Sequence, residues 1–93
     1  MKIEFDPAKS AKNERERGLP FELVVQVDWV GSYTEEDVRF AYPERRWVTY
    51  GLLGGRLHVI CHAPFAEDGT RVISFRKANR REIRKYEEKK AAH

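Results

Sequence analysis

A single cysteine, Cys61, leaves the 93-residue chain with no intramolecular disulfide and no multi-cysteine zinc site. It lies in the apolar run Leu57-His-Val-Ile-Cys61, which reads as a buried strand rather than as the setting of a nucleophile. The N-terminus lacks an apolar stretch of signal-peptide length, and no segment approaches the length that crosses a membrane. A cytoplasmic protein with no membrane association is therefore expected. Also missing are a glycine-rich phosphate loop, a serine elbow and a carboxylate cluster suited to Mg²⁺. No metal and no other cofactor is expected, and any chemistry must come from Arg, Lys, His, Glu and Tyr side chains. There is no internal repeat, low-complexity tract or linker, so residues 1–93 are expected to form one domain with one core.

Positive charge is present but unevenly placed. Residues 71–93 hold nine Lys/Arg and three Asp/Glu, whereas residues 1–70 hold nine Lys/Arg and twelve Asp/Glu. The net +3 thus joins a basic end to a mildly acidic body. An excess of one sign on one segment points to an anionic partner, nucleic acid first and an acidic protein second.

Along the chain, Lys2-Ile-Glu-Phe5 alternates as a short edge strand. Asp6-Pro7 then supplies an N-cap and an N1 proline, and Gly18 the left-handed stop, for a polar surface helix with Ala8 and Ala11 as its small apolar contacts. Pro20 opens a second helix whose Phe21, Val24 and Val25 form a core-facing stripe, although the β-branched run to Val30 leaves strand as an alternative for its later part. Residues 31–45 read as a loop, with a short strand near Val38–Ala41 as an option. From Arg46 the period becomes two: Trp47, Thr49 and Gly51 face one way, Val48, Tyr50 and Leu52 the other. Gly54-Gly55 signals a hairpin into Leu57–His62, and a turn at Glu67-Asp68-Gly69 returns the chain as Thr70–Phe75. In that last strand Val72, Ser74 and Arg76 are set against Ile73 and Phe75. Asn79 with Glu82 is a capping box that starts a basic helix docked through Ile83 and Tyr86. The closing Ala91-Ala92-His93 carries no structural signal and is either a frayed tail or a cloning remnant. The expected order is β-α-α-β-β-β-α, an α+β fold with helices packed against an antiparallel sheet.

Three places can carry chemistry. At Arg76-Lys77-Ala78-Asn79-Arg80, cations at a strand end meet the free N–H groups of a helix start, a natural phosphate site. In Glu44-Arg45-Arg46-Trp47 a carboxylate among arginines serves either as a general base or as a salt-bridge partner, and either Trp47 or Tyr50, on opposite faces, is free to stack on a base. His58 and His62 share a strand face, but residues four apart stand about 13 Å from each other, too far to share a metal ion. His62 remains a candidate proton carrier, with a hydrogen-bonded core histidine as the alternative. This inventory suits cleavage of RNA by its own 2′-hydroxyl, in which cations stabilise the phosphorane and a modest acid–base pair moves protons. Arg76, Lys77, Arg80, Glu44, Arg46 and His62 are the candidate catalytic residues, and Arg71, Arg81, Arg84 and Trp47 the candidate RNA contacts. The competing class is a non-catalytic basic module that binds nucleic acid or protein.

In order and spacing, these landmarks resemble the BrnT family of toxins from bacterial type II toxin–antitoxin systems. The resemblance rests on Phe5-Asp-Pro-Ala-Lys9 with Asn13, on Gly18-Leu-Pro-Phe21, and on Glu44-Arg45-Arg46-Trp47 leading to Tyr50-Gly51. It closes on Arg71-Val-Ile-Ser-Phe-Arg-Lys-Ala78, Glu82 and Tyr86. Where family members usually end the first helix with Lys-His-Gly, this chain has Glu16-Arg17-Gly18, and no histidine role carries over there. The resemblance implies a fold similar to the RelE-like ribonuclease toxins, metal-independent RNA cleavage, and inhibition by a BrnA antitoxin. That antitoxin would carry a ribbon-helix-helix DNA-binding domain, form a heterotetramer with the toxin, and reach operator DNA on the toxin's behalf.

Overall fold

Local chemistry fixes both long helices where the sequence places them. In the computed structural model, which describes residues 1–92, the first helix, α1, spans Pro7–Arg17. Asp6 accepts the Ala8 N–H at 2.9 Å, and Gly18, at φ 70°, donates its N–H to the Glu14 carbonyl. The last helix, α2, spans Arg80–Ala91 behind a complete capping box: Asn79 Oδ1 accepts the Glu82 N–H, and Glu82 Oε1 accepts the Asn79 N–H, both at 2.9 Å. Ala91 is the last helical residue and Ala92 follows as the C-cap; His93 lies outside the described residues.

Between the helices come β1 (Lys2–Glu4, ahead of α1), a 3₁₀ segment (Phe21–Gln26), β2 (Tyr33–Glu36), β3 (Trp47–Leu53), β4 (Arg56–Phe65) and β5 (Gly69–Lys77). The strands form a five-stranded sheet of order β1-β5-β4-β3-β2. The expected meander is present, and Gly54-Gly55, with φ of 58° and 77°, makes the two-residue turn whose positive φ values match strand twist.

Four expectations need correction. The sheet is mixed, because β1 pairs with β5 in parallel, Ile3 beside Thr70. Parallel partners need a long connection, and most of the chain supplies it here. The second helix is a 3₁₀ segment: Phe21, Val24 and Val27 are buried while Val25 is 48% exposed, the spacing of three residues per turn. The stretch read as a loop contains strand β2, whereas Val38–Ala41 is irregular. Strand β2 hides from pattern reading because one of its half-buried positions is an ion, Glu35. Finally, the register slips opposite Cys61 and His62, which pair with Ser74 and Val72. The extra residue, Ile73, turns Val72 into the core beside Phe75 and away from the face of Ser74 and Arg76.

The sheet separates two apolar layers. On one face Leu19, Phe21, Val24 and Val27 pack on Ile60, Val72 and Phe75. Strand β3 accepts this layer closely at Gly51, where a Cβ would come within 2.6 Å of Val27 Cγ1. On the other face, Ile83 and Tyr86 of α2 cover Tyr50, Leu57, Val59 and Ala78. Helix α1 docks by polar contacts, and Ala8 and Ala11 are exposed. Ser10 donates to Glu22 and accepts the Phe21 N–H, while Asn13 donates to the carbonyls of Leu19 (2.7 Å) and Phe75 (2.9 Å). Asn13 thereby satisfies the β5 edge beyond the reach of β1.

Candidate active site

Arg76 stands opposite Val59 on the sheet face that α2 covers. Its guanidinium forks onto Glu82 with two bonds of 2.8 Å, Nη1 to Oε1 and Nη2 to Oε2. The fork raises the Arg76 pKa, and the Arg76 bonds hold the Glu82 carboxyl below the usual range despite partial burial. Beside this pair opens a cleft of about 500 Å³. Val48, Tyr50, Val59, Cys61, Ser74 and Arg76 form its floor, with Glu82 on one side and residues 35–39 on the other.

Glu35 is the polar centre of the cleft's far side. Its carboxylate accepts from Lys85 Nζ at 2.6 Å, the Tyr33 hydroxyl at 3.1 Å and the Tyr50 hydroxyl at 3.3 Å. Burial pushes the Glu35 pKa up, but these donors outweigh it and leave the carboxyl below its ordinary value. Burial also raises the Tyr50 pKa. Next to it, Asp37 is held at about 2, chiefly by hydrogen bonds from the Arg39 side chain. Four carboxylates and two guanidiniums line the cleft, so its interior is not the cationic basin the sequence suggests.

The sequence candidates disperse over the molecule. Lys77 follows Arg76 in the strand and therefore points to the opposite face, opposite His58. The helix-start donors Asn79 N–H and Glu82 N–H are taken up by the capping box. Arg80, Arg81 and Arg84 are exposed on α2, with Arg80 and Arg84 one turn apart. Arg71 lies roughly 15 Å along β5 from Arg76, paired with Glu4 at 2.6 Å. Glu44 is exposed in the loop before β3. Arg46 lays its guanidinium over the Tyr42 ring at 4.1 Å, and Arg45 covers Trp47 at 5.0 Å. His62 shares the α1 side of the sheet with Trp29, which it meets edge-on, and burial lowers its pKa to about 4. Cys61 is buried, as expected, and its thiol pKa is raised by burial.

Sequence reasoning missed Glu35, Lys85 and the pair Asp37–Arg39. Glu35, Glu36 and Asp37 are adjacent in the chain, but that Glu35 faces the cleft follows only from the β2–β3 pairing of Glu35 with Val48. Among the described residues no group of three His, Cys, Asp or Glu side chains is placed to hold a metal, and no helix is long and apolar enough to cross a membrane.

Fold and site together define a small α+β protein in which a basic helix flanks an arginine-bearing polar cleft. The chain belongs to the BrnT family, the ribonuclease toxins of type II toxin–antitoxin systems, whose family model matches residues 5–82. A search among curated proteins finds no match. The family assignment makes RNA the substrate and a protein antitoxin the partner. The matched span begins at Phe5, beside the N-cap of α1, and ends at Glu82, the residue that forks onto Arg76.

Proposed function

We propose that this toxin cuts RNA without a metal ion, in the cleft bordered by Arg76. The substrate's 2′-oxygen forms a bond to the adjacent phosphorus while the P–O5′ bond breaks. The products are a 2′,3′-cyclic phosphate and a 5′-hydroxyl, whose oxygen takes its proton from solvent water as it leaves. Arg76 stabilises the charge that builds on the phosphorane oxygens, and the Glu82 fork that fixes its guanidinium is the observation that carries this reading. Glu35, an ionised carboxylate lining the cleft, takes the 2′-hydroxyl proton, with Glu44 as the alternative acceptor. Arg46 orients the substrate strand, and Arg80, Arg81 and Arg84 hold flanking phosphates along the exposed side of α2. Lys77, Arg71 and Trp47 serve as outer contacts at most, and His62, neutral and on the other face, has no part in the scheme.

The same scheme extends to the partner and the setting. The fold is read as related to the RelE-like ribonuclease toxins, residues 1–93 as one domain, and the compartment as the cytoplasm. The antitoxin is a BrnA-like protein with a ribbon-helix-helix domain, which contacts operator DNA for a heterotetrameric complex. An acidic antitoxin segment laid along α2 would neutralise the basic face and block substrate at once, so the complex should loosen as salt rises.

The decisive experiment incubates the chain, free of antitoxin, with RNA in EDTA and maps the cut ends. Cyclic-phosphate ends that vanish with Arg76→Ala and persist with Lys77→Ala are expected. Unchanged cutting by Arg76→Ala would move the site elsewhere. Intact RNA from folded protein, together with harmless expression in cells, would favour the non-catalytic module.

A further inference from the structure

The loop from Asp37 to Arg46 is built more firmly than a connection between two strands requires. Asp37, only 7% exposed, accepts four hydrogen bonds: from Arg39 Nε and Nη2 (both 2.9 Å), from the Arg39 N–H (3.2 Å) and from the Tyr42 hydroxyl (3.1 Å). Its own N–H donates to the Arg46 carbonyl at 2.8 Å and closes the base of the loop. Arg46 stacks on Tyr42, and its Nε is buried without a hydrogen-bond partner, which leaves the ring face as a principal contact of that guanidinium. This rigid frame presents apolar groups to water: Val38 is 77% and Phe40 69% exposed. Phe40 meets Tyr42 edge-on at 5.7 Å, and the two help line a hollow of about 300 Å³. Glu36, Asp37 and Val38 border both this hollow and the cleft of Arg76, so the two spaces adjoin.

We infer that this hollow is a nucleobase subsite, in which an unstacked base of single-stranded RNA lies on Phe40 while the Tyr42–Arg46 stack holds the platform in place. The inference rests on the reading of the adjoining cleft as the place of RNA cleavage. A planar base needs an exposed aromatic face, a nearby guanidinium and little reorganisation, and the loop supplies all three. A volume of 300 Å³ is the small end of ligand pockets and suits one ring system rather than a protein element. A double-stranded substrate, with its bases paired and stacked, would leave the platform empty.

The test measures binding of a fluorescein-labelled, 2′-O-methyl hexaribonucleotide, which lacks the nucleophile and cannot be cut. Phe40→Leu keeps apolar bulk and removes the π-face; Phe40→Trp keeps both. Phe40→Leu is expected to weaken binding about ten-fold, the scale of one lost base stack, and Phe40→Trp to match the wild-type chain. Wild-type binding by Phe40→Leu overturns the inference, as does a loss of antitoxin binding with RNA affinity intact, which would make the loop a protein interface. Cleavage by Arg76→Ala separates the two readings: if it cuts RNA as fast as wild type while Phe40→Leu binds weakly, the cleft assignment fails and the base subsite stands. No binding by the folded wild-type chain overturns both.

Discussion

Glu82 serves two structures with one carboxylate. Its Oε1 accepts both the Asn79 N–H that starts α2 and Arg76 Nη1, while Oε2 accepts Arg76 Nη2. The helix cap and the orientation of the arginine are therefore coupled: the side chain that ends the fraying of α2 also fixes a guanidinium over the cleft.

This coupling separates two kinds of variant. Arg76→Ala should lower cleavage by roughly 10²–10³, the scale of one lost transition-state donor. Glu82→Gln should lower it about ten-fold, mainly in kcat, because a neutral amide cannot hold the fork with both oxygens. The double variant should be no worse than Arg76→Ala alone, since the carboxylate acts through the arginine. Asn79→Ala removes the reciprocal cap bond and should cost about 1 kcal/mol of stability while cleavage stays near wild type. Independent, multiplying losses at Arg76 and Glu82 would show that the two do not work as a unit.

Asn13 offers a prediction about folding rather than catalysis. Its amide bridges the Leu19 and Phe75 carbonyls, tying the end of α1 to a sheet edge. Asn13→Ala leaves both acceptors without this partner and should cost about 1–3 kcal/mol, read as a lower urea midpoint with an unchanged slope. Asn13→Asp should be at least as harmful, because a carboxylate has no donor to offer two carbonyls. An Asp variant as stable as wild type would contradict the bridge.

Much of this architecture is legible in the sequence wherever one residue decides the local outcome. Asp6-Pro7, Gly18, Gly54-Gly55 and Asn79 with Glu82 each act within a turn of themselves, and each does what its chemistry implies. The β3 faces also follow from alternation, since Val48 and Tyr50 share one side and Thr49 the other. Information carried between distant segments is not legible in the same way. The parallel pairing of Ile3 with Thr70 is one case, and the slip that turns Val72 inward is another. The site suffers most from this. Arg76 and Lys77 look like a pair in the sequence, but the strand sends them to opposite faces, and the charge of Arg76 is met by Glu82. Glu35 and Lys85, fifty residues apart, become partners only once β2 and α2 meet across the cleft.

Gly51 tests the close approach of β3 and the layer above it. A methyl group there would come within 2.6 Å of Val27 Cγ1, and Val27 is itself buried. Gly51→Ala should therefore destabilise by about 1–3 kcal/mol through overpacking, although alanine is otherwise the better strand residue. The double variant Gly51→Ala/Val27→Ala should recover part of that loss by removing the methyl in the way. A single Gly51→Ala variant at wild-type stability would mean that the layer yields without cost.

His62 makes the pH dependence of the fold readable. Thr70 donates its hydroxyl proton to the Ala63 carbonyl, so it accepts from His62 Nδ1–H, and Nε2 is left to accept from Thr49. This network satisfies a neutral imidazole, and burial lowers the His62 pKa to about 4. An unfolded histidine takes up its proton near pH 6.5. Between that pH and about 4 the unfolded chain therefore binds a proton that the folded chain refuses, and stability falls as the pH falls through this window. His58, whose pKa is also lowered by burial, adds a contribution of the same sign. Asp37, held at about 2 chiefly by hydrogen bonds from Arg39, adds stability that is full above about pH 4 and is lost as the pH falls from there toward 2. Urea unfolding across pH 4–7 should show a declining midpoint for the wild-type chain and a flatter one for His62→Gln, less stable at pH 7 but less sensitive to acid. Parallel pH profiles for the two proteins would assign the acid sensitivity to other groups and remove His62 from this role.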